Sequence, residues 1–112
     1  DAGFAHLGGL VNLRRLSMLR TPITDKSLAV IAQFRQLEHL NLDYTNAGDG
    51  GLAGLAGLSR LSSLGLDSTY VTDKSRSVLA GFKDLKKLNL YHTVVTAAAV
   101  EEIKAALPAC SI

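Results

Sequence analysis

Apolar residues recur along this chain with a fixed spacing of 24 residues. The repeat is clearest in three columns, which are Leu13, Leu37, Leu61 and Leu85; Leu16, Leu40, Leu64 and Leu88; and Met18, Leu42, Leu66 and Leu90. A fourth column with the same spacing is polar, and it contains Thr21, Thr45, Thr69 and Thr93. Four columns at one period predict a stack of a single repeated structural unit.

Each unit combines a strand period with a helix period. In the second unit, apolar and polar residues alternate around Leu40 and Leu42, as they do in a half-buried strand. Leu52, Leu55 and Leu58 then follow at three-residue steps, which fits one face of a short helix. The pattern therefore predicts an α/β solenoid, in which a parallel sheet lines the concave side and short helices line the convex side.

The period also divides the chain into units. We expect a single domain over residues 1–112, made of a half repeat and four repeats, at 1–12, 13–36, 37–60, 61–84 and 85–112. Because the chain begins in the helical half of a unit, we expect it to be part of a longer protein. The apolar residues of that half unit, Phe4, Leu7 and Leu10, would form an edge that could stack on other repeats or on a second copy.

Local signals mark where the helices begin and how stable they are. Thr24 and Thr72 each precede an aspartate, Asp25 and Asp73, and threonine is a good N-cap. We therefore interpret both Thr-Asp pairs as helix starts. The helix of the second repeat should be the weakest, since each glycine in a helix costs about 0.5–1 kcal/mol relative to alanine. The glycines concerned are Gly48, Gly50, Gly51, Gly54 and Gly57.

The motif Leu-x-x-Leu-x-Leu-x-x-Thr resembles the leucine-rich repeat family over nearly the whole chain. Threonine stands where the common form of that repeat has asparagine; its hydroxyl can satisfy a buried carbonyl, although it has fewer donors. The Thr-x-Ile/Val-Thr-Asp segment is similar to helix-bearing repeats of bacterial proteins and of F-box-type proteins. The resemblance implies protein–protein recognition through the concave sheet.

The residues that flank the inward leucines should form this concave surface, because side chains alternate between the two faces of a strand. Neighbouring strands would arrange them in rows about 4.8 Å apart. The candidate partner-binding residues are Arg15, Ser17, Leu19, His39, Asn41, Asp43, Tyr44, Gly65, Asp67, Lys87, Asn89 and Tyr91. Tyrosine and arginine are enriched at protein interfaces, which favours a protein as the ligand.

Asp43 and Asp67 fall in one row, beside the position of Gly65. Two carboxylates about 5 Å apart repel each other by about 1–3 kcal/mol at an effective dielectric between 20 and 80. One hypothesis is that a partner inserts a basic or amide side chain into the dent over Gly65, against both carboxylates. The alternative is that the aspartates only solvate the ends of their strands.

The composition of the chain disfavours two classes of partner, nucleic acids and membranes. The formal charge is +2, from twelve basic and ten acidic residues. This charge balance and the few aromatic residues disfavour nucleic acid. No apolar run is long enough to span a bilayer, so no membrane partner is expected. The single Cys110 cannot form a disulfide within the chain, which is typical of a reducing compartment such as the cytoplasm.

No catalytic or metal-binding pattern is visible, so we expect a protein without enzymatic activity, cofactor or metal. His6, His39 and His92 belong to different elements of the repeat, and no nucleophile or phosphate-loop motif occurs. The function that we expect is therefore a protein-interaction module. The alternative is a structural spacer or oligomerisation segment without a ligand of its own.

Overall fold

The computed structural model describes residues 12–112, apart from the side chain of Asp25. These residues form four short strands, β1 (Arg15–Ser17), β2 (His39–Asn41), β3 (Ser63–Gly65) and β4 (Lys87–Asn89). The helices are α1 (Asp25–Ile31), α2 (Asp49–Ala53), α3 (Arg76–Ala80) and α4 (Ala97–Ala106), and a 3-10 turn, Asp73–Ser75, leads into α3. Strands and helices alternate along the chain, as the two periods predict.

The four strands form one parallel sheet in the order β1-β2-β3-β4. Leu16 is paired with Leu40, Leu40 with Leu64, and Leu64 with Leu88. The register therefore advances by one repeat from each strand to the next. This arrangement confirms the predicted α/β class with a parallel sheet and short helices.

A single apolar core fills the space between the sheet and the helices. Leu40, Leu64 and Leu88 are almost fully buried, and leucines from the helical half of each repeat, such as Leu52 and Leu79, pack in the same cluster. No helix in residues 12–112 is long and apolar enough to cross a membrane.

The threonine column satisfies backbone carbonyls inside the turns. Thr45, Thr69 and Thr93 each donate their hydroxyl to the carbonyl oxygen three residues earlier, at 2.7 Å in every case. Thr45 and Thr69 are buried. The hydroxyl thus satisfies a backbone carbonyl, as the sequence suggests, and that carbonyl belongs to the same repeat.

Threonine also caps the helices. The Oγ1 atom of Thr24 accepts a hydrogen bond from the backbone N–H of Ser27 at 3.3 Å, and that of Thr72 accepts one from Lys74 at 3.2 Å. Both predicted caps are confirmed, although Thr72 caps the 3-10 turn that leads into α3 and not α3 itself. Helix α2 follows the N-cap residue Gly48, which forms no side-chain hydrogen bond, and it is five residues long, as is α3. Its expected weakness therefore stays a prediction.

Aspartates at the helix starts connect successive repeats, a role that the sequence did not indicate. Asp49 accepts hydrogen bonds from the backbone N–H of Thr72 at 2.8 Å, from its hydroxyl at 2.6 Å, and from the Ser75 hydroxyl at 2.5 Å. Asp73 accepts from the N–H and hydroxyl of Thr96 at 2.7 and 2.8 Å. Each carboxylate therefore fastens its helix to the cap of the next one.

Four residues that follow the strands have a left-handed backbone although none is glycine. They are Arg20, Tyr44, Ser68 and His92, with φ between 55° and 59°. Such a conformation costs an L-residue roughly 1–2 kcal/mol. Its recurrence at one position of every repeat shows that the turn geometry imposes it.

At one end of the stack, the described residues extend past the last strand. Beside β4, Ser111 forms a parallel bridge with Lys87 and extends the sheet by one residue. At the other end, the half repeat with His6, Phe4, Leu7 and Leu10 lies outside the described residues. The division into repeats and the stacking edge at that end therefore stay predictions.

Candidate functional site

Strand pairing aligns seven of the twelve candidate residues in two rows. Arg15, His39, Ser63 and Lys87 are successive register partners across the sheet, and so are Ser17, Asn41, Gly65 and Asn89. These two rows are the ones that the sequence predicts. Their partner-binding role is taken up below as a proposal.

An open groove of about 650 Å³ runs across the face that carries these rows. We call it the sheet groove. The candidate residues that line it are Arg15, Ser17, His39, Asn41, Asp43, Gly65, Lys87, Asn89 and Tyr91, and Ser111 and Ile112 complete it beside β4. Leu19, Tyr44 and Asp67 are not part of its lining. The structure thus brings most of the candidate residues into one continuous depression.

The asparagines of the sheet groove use their amide oxygens within the chain. Oδ1 of Asn41 accepts the backbone N–H of Asp43 at 2.8 Å, and Oδ1 of Asn89 accepts that of Tyr91 at 2.9 Å. These bonds shape the turn after each strand. The acceptor atoms are therefore occupied, whereas the Asn41 amino group has no hydrogen-bond partner in residues 12–112.

Asp43 and Asp67 are also engaged within the chain. Oδ1 of Asp43 accepts the backbone N–H of Asp67 at 2.9 Å. Oδ1 of Asp67 accepts the Ser68 hydroxyl at 2.8 Å and lies 3.2 Å from Nδ1 of His92. The Ser68 hydroxyl, His92 and Asn89 lower the pKa of the Asp67 carboxyl, although partial desolvation acts in the opposite direction.

The dent predicted over Gly65 is filled by these side chains. A Cβ atom at Gly65 would lie 2.6 Å from Oδ1 of Asp43 and 3.0 Å from Oδ1 of Asn41. Glycine leaves the room that the Asp43 carboxylate needs to reach the backbone of the next repeat. A partner's basic side chain would have to displace that carboxylate to occupy the same space.

Two basic side chains of the sheet groove have no anionic partner in the described part of the chain. Arg15 and Lys87 are exposed and form no ion pair with any residue in 12–112, whereas the neighbouring Arg14 lies 3.4 Å from Glu38. His39 stands beside Arg15 in the same row. The row nearest the strand starts is consequently cationic and open to a ligand.

Exposed apolar side chains gather at the strand ends. The large hydrophobic residues that the described part of the chain exposes are Leu19, Tyr44, Tyr70, Tyr91 and Val94. Leu19, Tyr44 and Tyr91 lie in the turns that directly follow β1, β2 and β4, whereas Tyr70 forms a parallel bridge with Gly48. The guanidinium of Arg20 stacks 5.0 Å from the ring of Tyr44. Tyr70 and Val94 were missed from the sequence, because they lie several residues after their strands, beyond the alternating pattern.

Residues 12–112 contain no group of three or more histidine, cysteine or acidic side chains that could hold a metal ion. Burial is the main factor at Cys110, where it raises the thiol pKa. A raised pKa disfavours the nucleophilic thiolate. His6 lies outside the described residues.

Solved structures identify the class of this fold. Internalin C2 from Listeria monocytogenes superposes with a TM-score of 0.78 at 25% identity, over 95% of this chain and 43% of that one. A leucine-rich repeat protein of Leptospira interrogans gives 0.69 at 22% identity, over 96% of this chain and 27% of that one. The chain has the leucine-rich repeat fold, and the predicted resemblance is confirmed.

A third match is the actin-binding site 2 structure of leiomodin-1, with a TM-score of 0.70 at 15% identity over 96% of this chain and 72% of that one. No protein-family model matches the sequence, and no curated protein matches it significantly. The chain spans less than half the length of the two bacterial structures.

Proposed function

We propose that this chain is a recognition module that binds a protein partner through the sheet groove. The observation that carries the proposal is the groove itself, a depression of about 650 Å³ to which all four strands contribute side chains. Leucine-rich repeat proteins are in general protein-interaction modules, and actin binding by the leiomodin-1 neighbour is an example of that use.

The chemistry of the sheet groove supports such a role. Polar groups at its base are held in place by hydrogen bonds to the chain, so they lose little conformational freedom when a ligand binds. Tyr91 at its edge is 69% exposed, and an exposed tyrosine offers both apolar area and a hydroxyl to a partner. A rigid polar floor beside an aromatic edge suits an extended segment of a partner protein.

The test is a selection from a displayed library of random peptides against the whole chain. Binding of the enriched peptides is then measured on Arg15→Ala, Lys87→Ala and Tyr91→Ala. The matched control variants are Arg60→Ala and Lys83→Ala, because these residues lie outside the sheet groove. The proposal expects each groove variant to weaken binding by about tenfold or more, as interface anchors do, with its unfolding midpoint unchanged.

The opposite result would contradict a partner site in the sheet groove. Enriched peptides that bind the groove variants and the control variants with the same affinity would place the interface elsewhere. A further variant, Tyr70→Ala, maps how far the interface extends, because Tyr70 is as exposed as Tyr91 but does not line the sheet groove.

A further inference from the structure

We infer that the segment bound in the sheet groove is acidic, with carboxylate side chains that pair with Arg15 and Lys87. This inference rests on the proposed function and specifies the chemistry of its partner. It differs from the hypothesis of a basic side chain against Asp43 and Asp67, because Oδ1 of each carboxylate already accepts a hydrogen bond within the chain.

Hydrogen bonds within the chain determine which groups of the sheet groove remain free for a ligand. The asparagine oxygens accept backbone N–H groups, Asp43 accepts the N–H of Asp67, and Asp67 accepts Ser68 and faces His92. Most acceptors beside the groove are thus committed to the chain. The two cations that line the groove, the Arg15 guanidinium and the Lys87 ammonium, have no ion-pair partner in residues 12–112, and the Asn41 amino group is a further unpaired donor.

Charge complementarity then favours an acidic ligand. A lysine or arginine side chain entering the groove would meet two unpaired cations, and like charges across an interface disfavour a partner. A carboxylate would form charge-assisted hydrogen bonds with the same two groups. A nucleic acid fits less well, because two cations neutralise few phosphates.

The spacing of the cations limits how the segment can lie. Arg15 and Lys87 are register partners three strands apart, which corresponds to about 14 Å at about 4.8 Å per strand. In an extended peptide, residues four apart on the same side are separated by about 13–14 Å. A segment that crosses the strands could therefore pair both cations with acidic residues spaced by four positions.

The experiment uses the peptides enriched in the selection described above, together with two reversed-charge variants. The first carries Arg15→Glu and Lys87→Glu, and the second carries Arg60→Glu and Lys83→Glu as a control with the same net charge. We expect the groove-dependent peptides to be rich in aspartate and glutamate and to lose binding by about tenfold or more only on the first variant. On that variant, replacing the acidic residues by lysine should restore binding.

Every other outcome contradicts the inference, either alone or together with the proposed function. Groove-dependent peptides that are neutral or basic would overturn the inference and leave the proposed function standing. Equal losses on both reversed-charge variants would show unspecific attraction, and equal binding of a single-stranded oligonucleotide would show a general anion surface; both overturn the inference. If no enriched peptide depends on the groove, the proposed function fails together with the inference.

Discussion

The carboxylate of Asp49 joins two successive repeats, because it accepts both the backbone N–H and the hydroxyl of Thr72. Burial alone raises the pKa of the Asp49 carboxyl, but the hydrogen bonds from Ser75 and Thr72 and the nearby Lys74 outweigh burial and keep that pKa below its usual value. Asp73 and Thr96 repeat the same contact one unit later. A solenoid depends on such interfaces, since each repeat touches only its neighbours.

Replacing Asp49 by alanine should therefore destabilise the whole stack. We expect the free energy of unfolding to fall by about 1–3 kcal/mol, the range for losing hydrogen bonds to a charged group. Urea denaturation monitored by circular dichroism measures the change. The matched control is Asp84→Ala, because Asp84 is exposed and has no hydrogen-bond partner in residues 12–112; it should change stability by less than about 0.5 kcal/mol. Equal effects of the two substitutions would refute the inter-repeat role.

Low pH should weaken the hydrogen bonds that Asp49 and Asp73 accept from the next repeat. The N–H of Thr96 and then its hydroxyl lower the pKa of the Asp73 carboxyl, and the pKa of Asp49 is lowered as well. Because both folded-state values lie below the unfolded value of about 3.9, the unfolded chain binds protons first as the pH falls. The stabilisation is complete above pH about 4–5 and is lost below it, as the pH passes through the folded pKa values.

The measurement is the free energy of unfolding between neutral pH and pH about 3. A variant with Asp49→Asn and Asp73→Asn should start less stable at neutral pH and lose less stability on acidification than the unmodified chain. If both proteins lose stability in parallel, other carboxylates are responsible for the acid sensitivity.

The close packing around Gly65 predicts that substitutions at Gly65 and Asp43 affect stability in a non-additive way. An alanine Cβ would approach Oδ1 of Asp43 to 2.6 Å, so the carboxylate must move and its bond to the Asp67 N–H must weaken. Gly65→Ala should cost about 1 kcal/mol, the net value of such a hydrogen bond. In a chain that already carries Asp43→Ala, the same substitution should cost less, because the nearer obstructing group is gone and only Oδ1 of Asn41, at 3.0 Å, remains. A double-mutant cycle with additive effects would show that the two residues are independent.

The sequence could predict those features that depend on one residue type recurring at one spacing. The leucine columns fixed the strand register, and the positions of Thr24 and Thr72 identified two helix starts. The roles of Asp49 and Asp73 could not be read in the same way, since they depend on the distance between stacked helices. Within one repeat, an aspartate after threonine has an adequate explanation as a residue near a helix N-terminus.

The sheet groove, too, could be predicted only in part from the sequence. Alternation along the strands placed Arg15, Asn41 and Lys87 on the correct face, because side-chain direction follows from a period of two. It could not show that Asp43 reaches across Gly65 to the backbone N–H of Asp67, in the turn after β3. That contact depends on a side-chain rotamer and on the missing Cβ, and neither has a periodic signature.

The left-handed residues after the strands lead to the last prediction. Ser68 has φ of 58°, where glycine avoids the clash that an L side chain suffers. We expect Ser68→Gly to be more stable than Ser68→Ala by about 1–2 kcal/mol. Both variants lack the hydroxyl that bonds to Asp67, so their difference isolates the backbone contribution. The matched control is the same pair at Glu101, an exposed position within α4. There the order should be reversed, with glycine less stable by up to about 1 kcal/mol. Thermal or urea unfolding of the four variants decides the matter, and finding the same order at both positions would contradict a left-handed turn at Ser68.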